Sequence, residues 1–131
     1  MDSSVPIRRK QVLCIDDHVE TCDLLGFVFA DSGYELVTAR SLSEGIGLAQ
    51  TGRFAVYILD NRLPDGTGVD GCAILKRLHP EIPVVFCSAA AFDHDRREAL
   101  DAGAEIYLTK PVEMDKLMET VRDLASQCGP A

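Results

Sequence analysis

Short apolar runs punctuate the chain at 12–15, 34–38, 54–59, 82–87 and 104–108. They are rich in Val, Ile, Tyr and Phe and too short for helices, so each predicts a strand. All but the second are almost continuously apolar, the pattern of parallel strands covered on both faces. The second is more polar, which suits the edge of a sheet.

Helical patterns fill the gaps. Residues 19–31 are mostly apolar or small, and Gly33 follows as a stop. Ser41 with Glu44 three residues on reads as a capping box. Leu42, Ile46 and Ala49 then share a face before Gly52. The segment 69–78 groups Val69, Ala73 and Ile74 and ends before Pro80. A polar helix over 93–102 stops at Gly103. The clearest stripe is the last, with Met114, Leu117, Met118, Val121, Leu124 and Ala125 at three- and four-residue steps. Strands alternating with helices in this way predict a parallel α/β sheet with right-handed crossovers.

The polar residues that end the runs matter most. The first run stops at Asp16-Asp17, the third at Asp60, the fourth at Ser88 and the fifth at Thr109-Lys110. Strands of a parallel sheet point one way, so these groups share the carboxyl edge, where open α/β sheets bind ligands. Carboxylates ~5 Å apart repel by ~3 kcal/mol at an effective dielectric of about 20, so three in one crevice call for a cation. Hard oxygen donors, few in number, favour Mg²⁺, with Mn²⁺ as an alternative occupant. A carboxylate, a metal and a Lys together form a phosphoryl clamp, and Asp is a competent phosphoryl-accepting nucleophile. Asp60 stands alone at the end of the central strand and is the natural nucleophile. Asp16 and Asp17 would hold the metal.

Length and composition narrow the setting. The chain has 131 residues, enough for one domain that folds without a metal or disulfide. Its formal net charge is −8 and its pI about 4.7, which argues against direct nucleic-acid binding. No uncharged stretch is long enough to span a bilayer, and 1–10 carries no apolar run of signal-peptide length. Cys14, Cys22, Cys72, Cys87 and Cys128 show no Cys-x-x-Cys spacing, which suits a reducing cytoplasm with no zinc site. Residues 1–9 read as a loose leader, 10–128 as the domain and 129–131 as a frayed tail.

The sequence resembles the receiver domain of two-component response regulators, the CheY-like superfamily. The resemblance rests on Val12-Leu13-Cys14-Ile15-Asp16-Asp17, on Ile58-Leu59-Asp60-Asn61-Arg62-Leu63-Pro64-Asp65-Gly66, and on Val84-Val85-Phe86-Cys87-Ser88-Ala89. Ala102-Gly103-Ala104 and Tyr107-Leu108-Thr109-Lys110-Pro111 complete it. It implies a flavodoxin-like, doubly wound sheet of order 2-1-3-4-5 with five helices. It implies that Asp60 is the phosphoacceptor, and that Asp17, Asp60 and the backbone carbonyl of Arg62 ligate Mg²⁺ with Asp16 acting through a water. Lys110 would bind a phosphoryl oxygen, Ser88 would move to the phosphoryl group, and the Tyr107 rotamer would follow. The Lys110–Pro111 bond is expected to be cis.

The implied partners are a sensor histidine kinase or a phosphotransfer protein, whose phosphohistidine supplies the phosphoryl group. A downstream partner is expected on the face of the fourth helix, fifth strand and fifth helix, where Arg96, Arg97 and Lys116 are candidate contacts. The expected role is a switch with self-dephosphorylation, not an enzyme. Arg62 is expected to cover the site partly, while Ala90 offers no group to orient a water.

Other residues read more plainly. His18 is expected to be a solvent-facing first-turn residue rather than a metal ligand. Asp93-His94-Asp95 suits a helix N-terminus, and His79 a loop. Gly66 and Gly68 fit no phosphate-loop fingerprint and are expected to shape the loop beside Asp60. Two other classes share these parts: a Mg²⁺-dependent aspartyl-phosphate phosphatase, and a docking module indifferent to phosphorylation. The sequence names no kinase, output or oligomeric state.

Overall fold

A computed structural model describes residues 10–127. The expected leader 1–9, the tail 129–131 and Cys128 lie outside the described residues. The elements are β1 (Lys10–Ile15), α1 (Val19–Asp31), β2 (Tyr34–Ala39), α2 (Leu42–Thr51), β3 (Val56–Leu59), β4 (Arg62–Leu63), β5 (Gly66–Thr67), α3 (Gly68–Leu78), β6 (Val84–Ser88), α4 (Asp93–Asp101), β7 (Ile106–Thr109) and α5 (Met114–Gln127). Five strands form one parallel sheet of order β2-β1-β3-β6-β7. With the long strands counted in chain order this is 2-1-3-4-5, and the more polar β2 is an edge. The short β4 and β5 pair antiparallel as a separate arm that the apolar pattern does not predict. Two-residue strands carry too little periodicity to be seen.

Alternation along each strand feeds two cores. Leu13, Ile15, Tyr57, Leu59, Val84 and Phe86 face α2, α3 and α4, where Ala49, Cys72, Leu75 and Ala99 meet them. Val12, Cys14, Val56, Ile58, Val85 and Cys87 face the other way, onto Leu25 and Phe29 of α1 and Leu117 and Val121 of α5. Full burial of such side chains contributes about 1.5–3 kcal/mol each. Cys14, Cys22, Cys72 and Cys87 are free thiols in these cores. Burial pushes Cys72 and Cys87 up to about 11, which leaves them inert. No helix among the described residues is long and apolar enough to cross a membrane.

Two connections hold the carboxyl and amino edges. Ser41 caps α2 by accepting from Glu44 N at 3.1 Å, as expected. The Glu44 carboxylate, however, reaches back to Arg40 N at 2.9 Å, one residue beyond the expected box. The Asp65 carboxylate, from the β4–β5 turn, accepts from Leu42 N at 2.8 Å and Ser43 N at 2.9 Å. It thereby ties the segment after Asp60 to the start of α2. At the opposite edge Lys76 Nζ donates to Ile82 O at 2.9 Å and Glu105 Oε2 at 2.8 Å, while Glu105 Oε1 accepts from Val84 N at 2.7 Å. That clasp closes the amino ends of β6 and β7.

Candidate functional site

Backbone ladders carry the key residues one step past their strands. Asp16 N donates to Ala39 O at 2.9 Å, Asp60 N to Ile15 O at 3.0 Å and Lys110 N to Ser88 O at 2.8 Å. Asp16 and Asp60 therefore emerge side by side above β1 and β3, where the strand order reverses. Gly68, the first residue of α3, lies against this point. A Cβ there would sit 2.4 Å from the Asp60 carbonyl oxygen and 3.0 Å from Asn61 Cα. Only glycine lets α3 start this close to β3, so Gly68 shapes the loop beside Asp60 as the sequence suggests.

Lys110 bridges the acids. Its Nζ lies 2.8 Å from Asp16 Oδ2 and 3.3 Å from Asp60 Oδ2, with the two carboxylates only 5% exposed. The Lys110–Pro111 bond is cis, as expected. Burial works to raise the Asp16 pKa, but the hydrogen bonds from Lys110 and from the His18 amide and ring outweigh it, and the group is held below its ordinary value. Burial likewise works to lower Lys110, and the bond to Asp16 with the charges of Asp60 and Asp16 outweighs it, so its pKa is raised. Asp60 Oδ1 accepts from Asn61 N at 2.7 Å, which leaves Oδ2 toward Lys110.

Asp17 joins this group, half open to solvent. Donor atoms of Asp16, Asp17, His18 and Asp60 all lie within 4.8 Å of one another. Three carboxylates facing one ammonium leave a deficit of two positive charges, with hard oxygen donors already gathered. That donor set fits a divalent cation such as Mg²⁺. Arg62 opens β4 with an exposed side chain and pairs with Thr67 across the short arm.

Ser88 ends β6, and Tyr107 lies within β7. Ser88 is buried, and its Oγ accepts from Ala90 N at 3.2 Å. The Tyr107 hydroxyl donates to Ala90 O, and its buried ring stacks on Phe86 at 5.7 Å between centroids. The Arg96 guanidinium lies 5.7 Å from the Tyr107 centroid. Ala90 thus links the serine and the tyrosine through its backbone. Of the other acids and histidines, Asp95 accepts from Phe92 N at the start of α4, as expected of a helix N-terminus. His79 caps the end of α3, with Nε2 3.3 Å from Ala49 O.

His18 corrects the sequence reading. It is the N-cap of α1 rather than a first-turn residue, and although 61% exposed it turns back onto the acids. Its amide donates to Asp16 Oδ1 at 2.9 Å, and Nδ1 lies 2.7 Å from the same oxygen. The hydrogen bond to Asp16 and that carboxylate's charge raise its pKa. The available signal was its position two residues after Asp16, where an Asp side chain turns the backbone toward itself.

Fold and pocket define the class first: a flavodoxin-like α/β domain with its site at the carboxyl edge of the sheet. The response regulator receiver domain family matches residues 12–122, and the chain belongs to it. Among curated relatives, the transcriptional regulatory protein DltR of Streptococcus agalactiae serotype III (strain NEM316) is 30% identical over 115 residues, 86% of this chain and 50% of DltR. The chain therefore spans half the length of that relative. A CheY-like receiver domain protein from Methanospirillum hungatei JF-1 has a TM-score of 0.89 at 25% identity, covering 92% of this chain and 97% of that one. A response regulator protein from Burkholderia pseudomallei, solved with a phosphorylated aspartic acid, a calcium ion and citrate, has a TM-score of 0.82 at 25% identity. The match covers 90% of this chain and 69% of that one.

Proposed function

We propose that residues 10–128 act in the cytoplasm as a phosphorylation switch in which Asp60 accepts a phosphoryl group from a phosphohistidine of a sensor histidine kinase or phosphotransfer protein. The observation that carries this is the Lys110 ammonium set between two buried carboxylates at 2.8 and 3.3 Å. A lysine so held sits beside the attacking oxygen and is free to turn from carboxylate to phosphoryl oxygen. The Burkholderia pseudomallei neighbour, with its phosphorylated aspartic acid and calcium ion, supports the same reading.

In the transfer an Asp60 carboxylate oxygen attacks phosphorus. The new P–O bond forms as the P–N bond breaks, and the electron pair leaves with the donor imidazole, which takes up a proton. Asp17, Asp60 and the Arg62 carbonyl would hold Mg²⁺, with Asp16 acting through a water. When bound, the ion neutralises charge that builds on the phosphoryl oxygens. Lys110 holds one of those oxygens. Hydrolysis returns Asp60 as a carboxylate, with water oxygen bonding to phosphorus and inorganic phosphate leaving.

The readout runs through Ser88 and Tyr107. A phosphoryl group on Asp60 offers the Ser88 hydroxyl a charged acceptor to donate to, and turning toward it draws Oγ from the Ala90 amide that now donates to it. Moving Ala90 disturbs the carbonyl that Tyr107 uses. The Tyr107 ring is buried with the Arg96 guanidinium of α4 5.7 Å from it, and Arg97 and Lys116 add positive charge on the face of α4, β7 and α5 for a downstream partner. The role is that of a switch rather than a turnover enzyme.

The test is intact mass after incubation with Mg²⁺ and acetyl phosphate. One phosphoryl adduct is expected for the wild type and none for Asp60→Asn or without Mg²⁺. An adduct that persists in Asp60→Asn refutes the assignment. Steady turnover of a chromogenic phosphoester would refute the switch in favour of a phosphatase.

A further inference from the structure

An all-oxygen pocket has no use for an imidazole, yet His18 faces this one. Its Nδ1 lies 3.4 Å from Asp17 Oδ1 and 3.5 Å from Asp60 Oδ2. Charge-assisted N–H···O bonds run about 2.7–2.9 Å, so neither spacing is one. Donors about 2.0–2.1 Å from a shared ion at tetrahedral angles stand roughly 3.3–3.4 Å apart, which both spacings approach. The backbone sets where this side chain starts. The Asp16 carboxylate accepts the His18 amide at 2.9 Å and turns the N-cap of α1 over the acids.

We propose that His18 converts this pocket into a mixed nitrogen–oxygen site, with Nδ1 joining Asp17 and Asp60 as donors to an imidazole-preferring first-row divalent ion. The inference rests on the metal-pocket reading above and adds its selectivity. Imidazole raises affinity for ions late in the first transition row and adds little for Mg²⁺, which holds its waters and prefers oxygen. To bind, Nδ1 releases its proton to solvent and its bond to Asp16. Asp16 keeps Lys110 at 2.8 Å, so no buried charge is stranded. The exposed position of the ring lets it swing onto an ion without disturbing either core.

The experiment is calorimetric titration of the purified chain with Co²⁺ and, separately, Mg²⁺, for wild type, His18→Ala, His18→Asn and Asp17→Asn. Co²⁺ also reports its ligands through visible absorption. Loss of His18 is expected to weaken Co²⁺ by about tenfold or more, to change its spectrum, and to leave Mg²⁺ within about twofold. Asp17→Asn is expected to weaken both ions. Equal effects of His18→Ala on Co²⁺ and Mg²⁺, or none on either, overturn the inference while leaving the pocket reading intact. If Asp17→Asn alters neither ion, the pocket reading fails and the inference with it.

Discussion

Replacing Gly68 by Ala is expected to damage the protein and its site together. A Cβ at this position would meet the Asp60 carbonyl oxygen at 2.4 Å, Phe86 Cε2 at 2.9 Å and Asn61 Cα at 3.0 Å. Two of these atoms are backbone, and Phe86 is fully buried, so none yields cheaply. Overpacking of this kind costs about 1–3 kcal/mol. With a urea m-value of about 2 kcal/mol per M, the midpoint should fall by roughly 0.5–1.5 M. The same substitution at Gly47, exposed in α2 with nothing within 4 Å, should instead stabilise by about 0.5–1 kcal/mol. The pair isolates local space from helix propensity. The relief of the clash must push α3 away from the end of β3, which displaces Asp60. Phosphoryl uptake from acetyl phosphate should therefore fall more in Gly68→Ala than in Val121→Ala, a core change on α5 costing about 2 kcal/mol. Two outcomes refute the reasoning: an unchanged midpoint for Gly68→Ala, or uptake equal to that of Val121→Ala at matched folded fraction.

Three further outcomes are expected. Lys110→Met should slow phosphoryl uptake by about 10²-fold, by intact-mass time course, while tightening Mg²⁺ because the competing ammonium is gone; undiminished uptake would refute the clamp. Asp65 is held below its ordinary pKa by the amides of Ser43 and Leu42. Its folded pKa is depressed, so its stabilisation is present above about pH 4 and lost as pH falls through the folded value. The melting temperature of Asp65→Ala should accordingly lie below wild type at pH 7 and converge with it in acid, and a pH-independent gap would count against the cap. Arg62→Ala should change the dephosphorylation rate measured after removal of the phosphodonor, and equal rates would sink the covering role of Arg62.

Much of this is legible in the chain because burial on two faces writes continuous apolar runs. The run 12–15 becomes most of β1, and the stripe from Met114 to Ala125 becomes α5. The acids and Lys110 were readable for the same reason: parallel strands all end at one edge. What escaped lacks such periodicity. The β4–β5 arm is too short to alternate. Asp65 sits in a turn whose sequence announces the bend but not the helix it caps 23 residues away. His18 is solvent-facing as its setting suggests, but it is the Asp16 side chain, turning the backbone back on itself, that also brings the ring beside the acids. Sequence position gave its neighbours along the chain; the Asp60 contact at 3.5 Å needs the sheet.

The Lys76–Glu105 clasp divides the domain into unequal halves in time. It fastens the amino ends of β6 and β7, far from the phosphoryl site, with three bonds of 2.7–2.9 Å. Amides there, Val84 above all, should open only with global unfolding and exchange their hydrogens last. At the carboxyl end of β6, Ser88 shares the loop residue Ala90 with Tyr107 of β7. A disturbance at Asp60 therefore meets two strands laddered to their ends and clasped at their amino ends, so the displacement is expected in the Ala90 loop beyond Ser88 rather than in the strands.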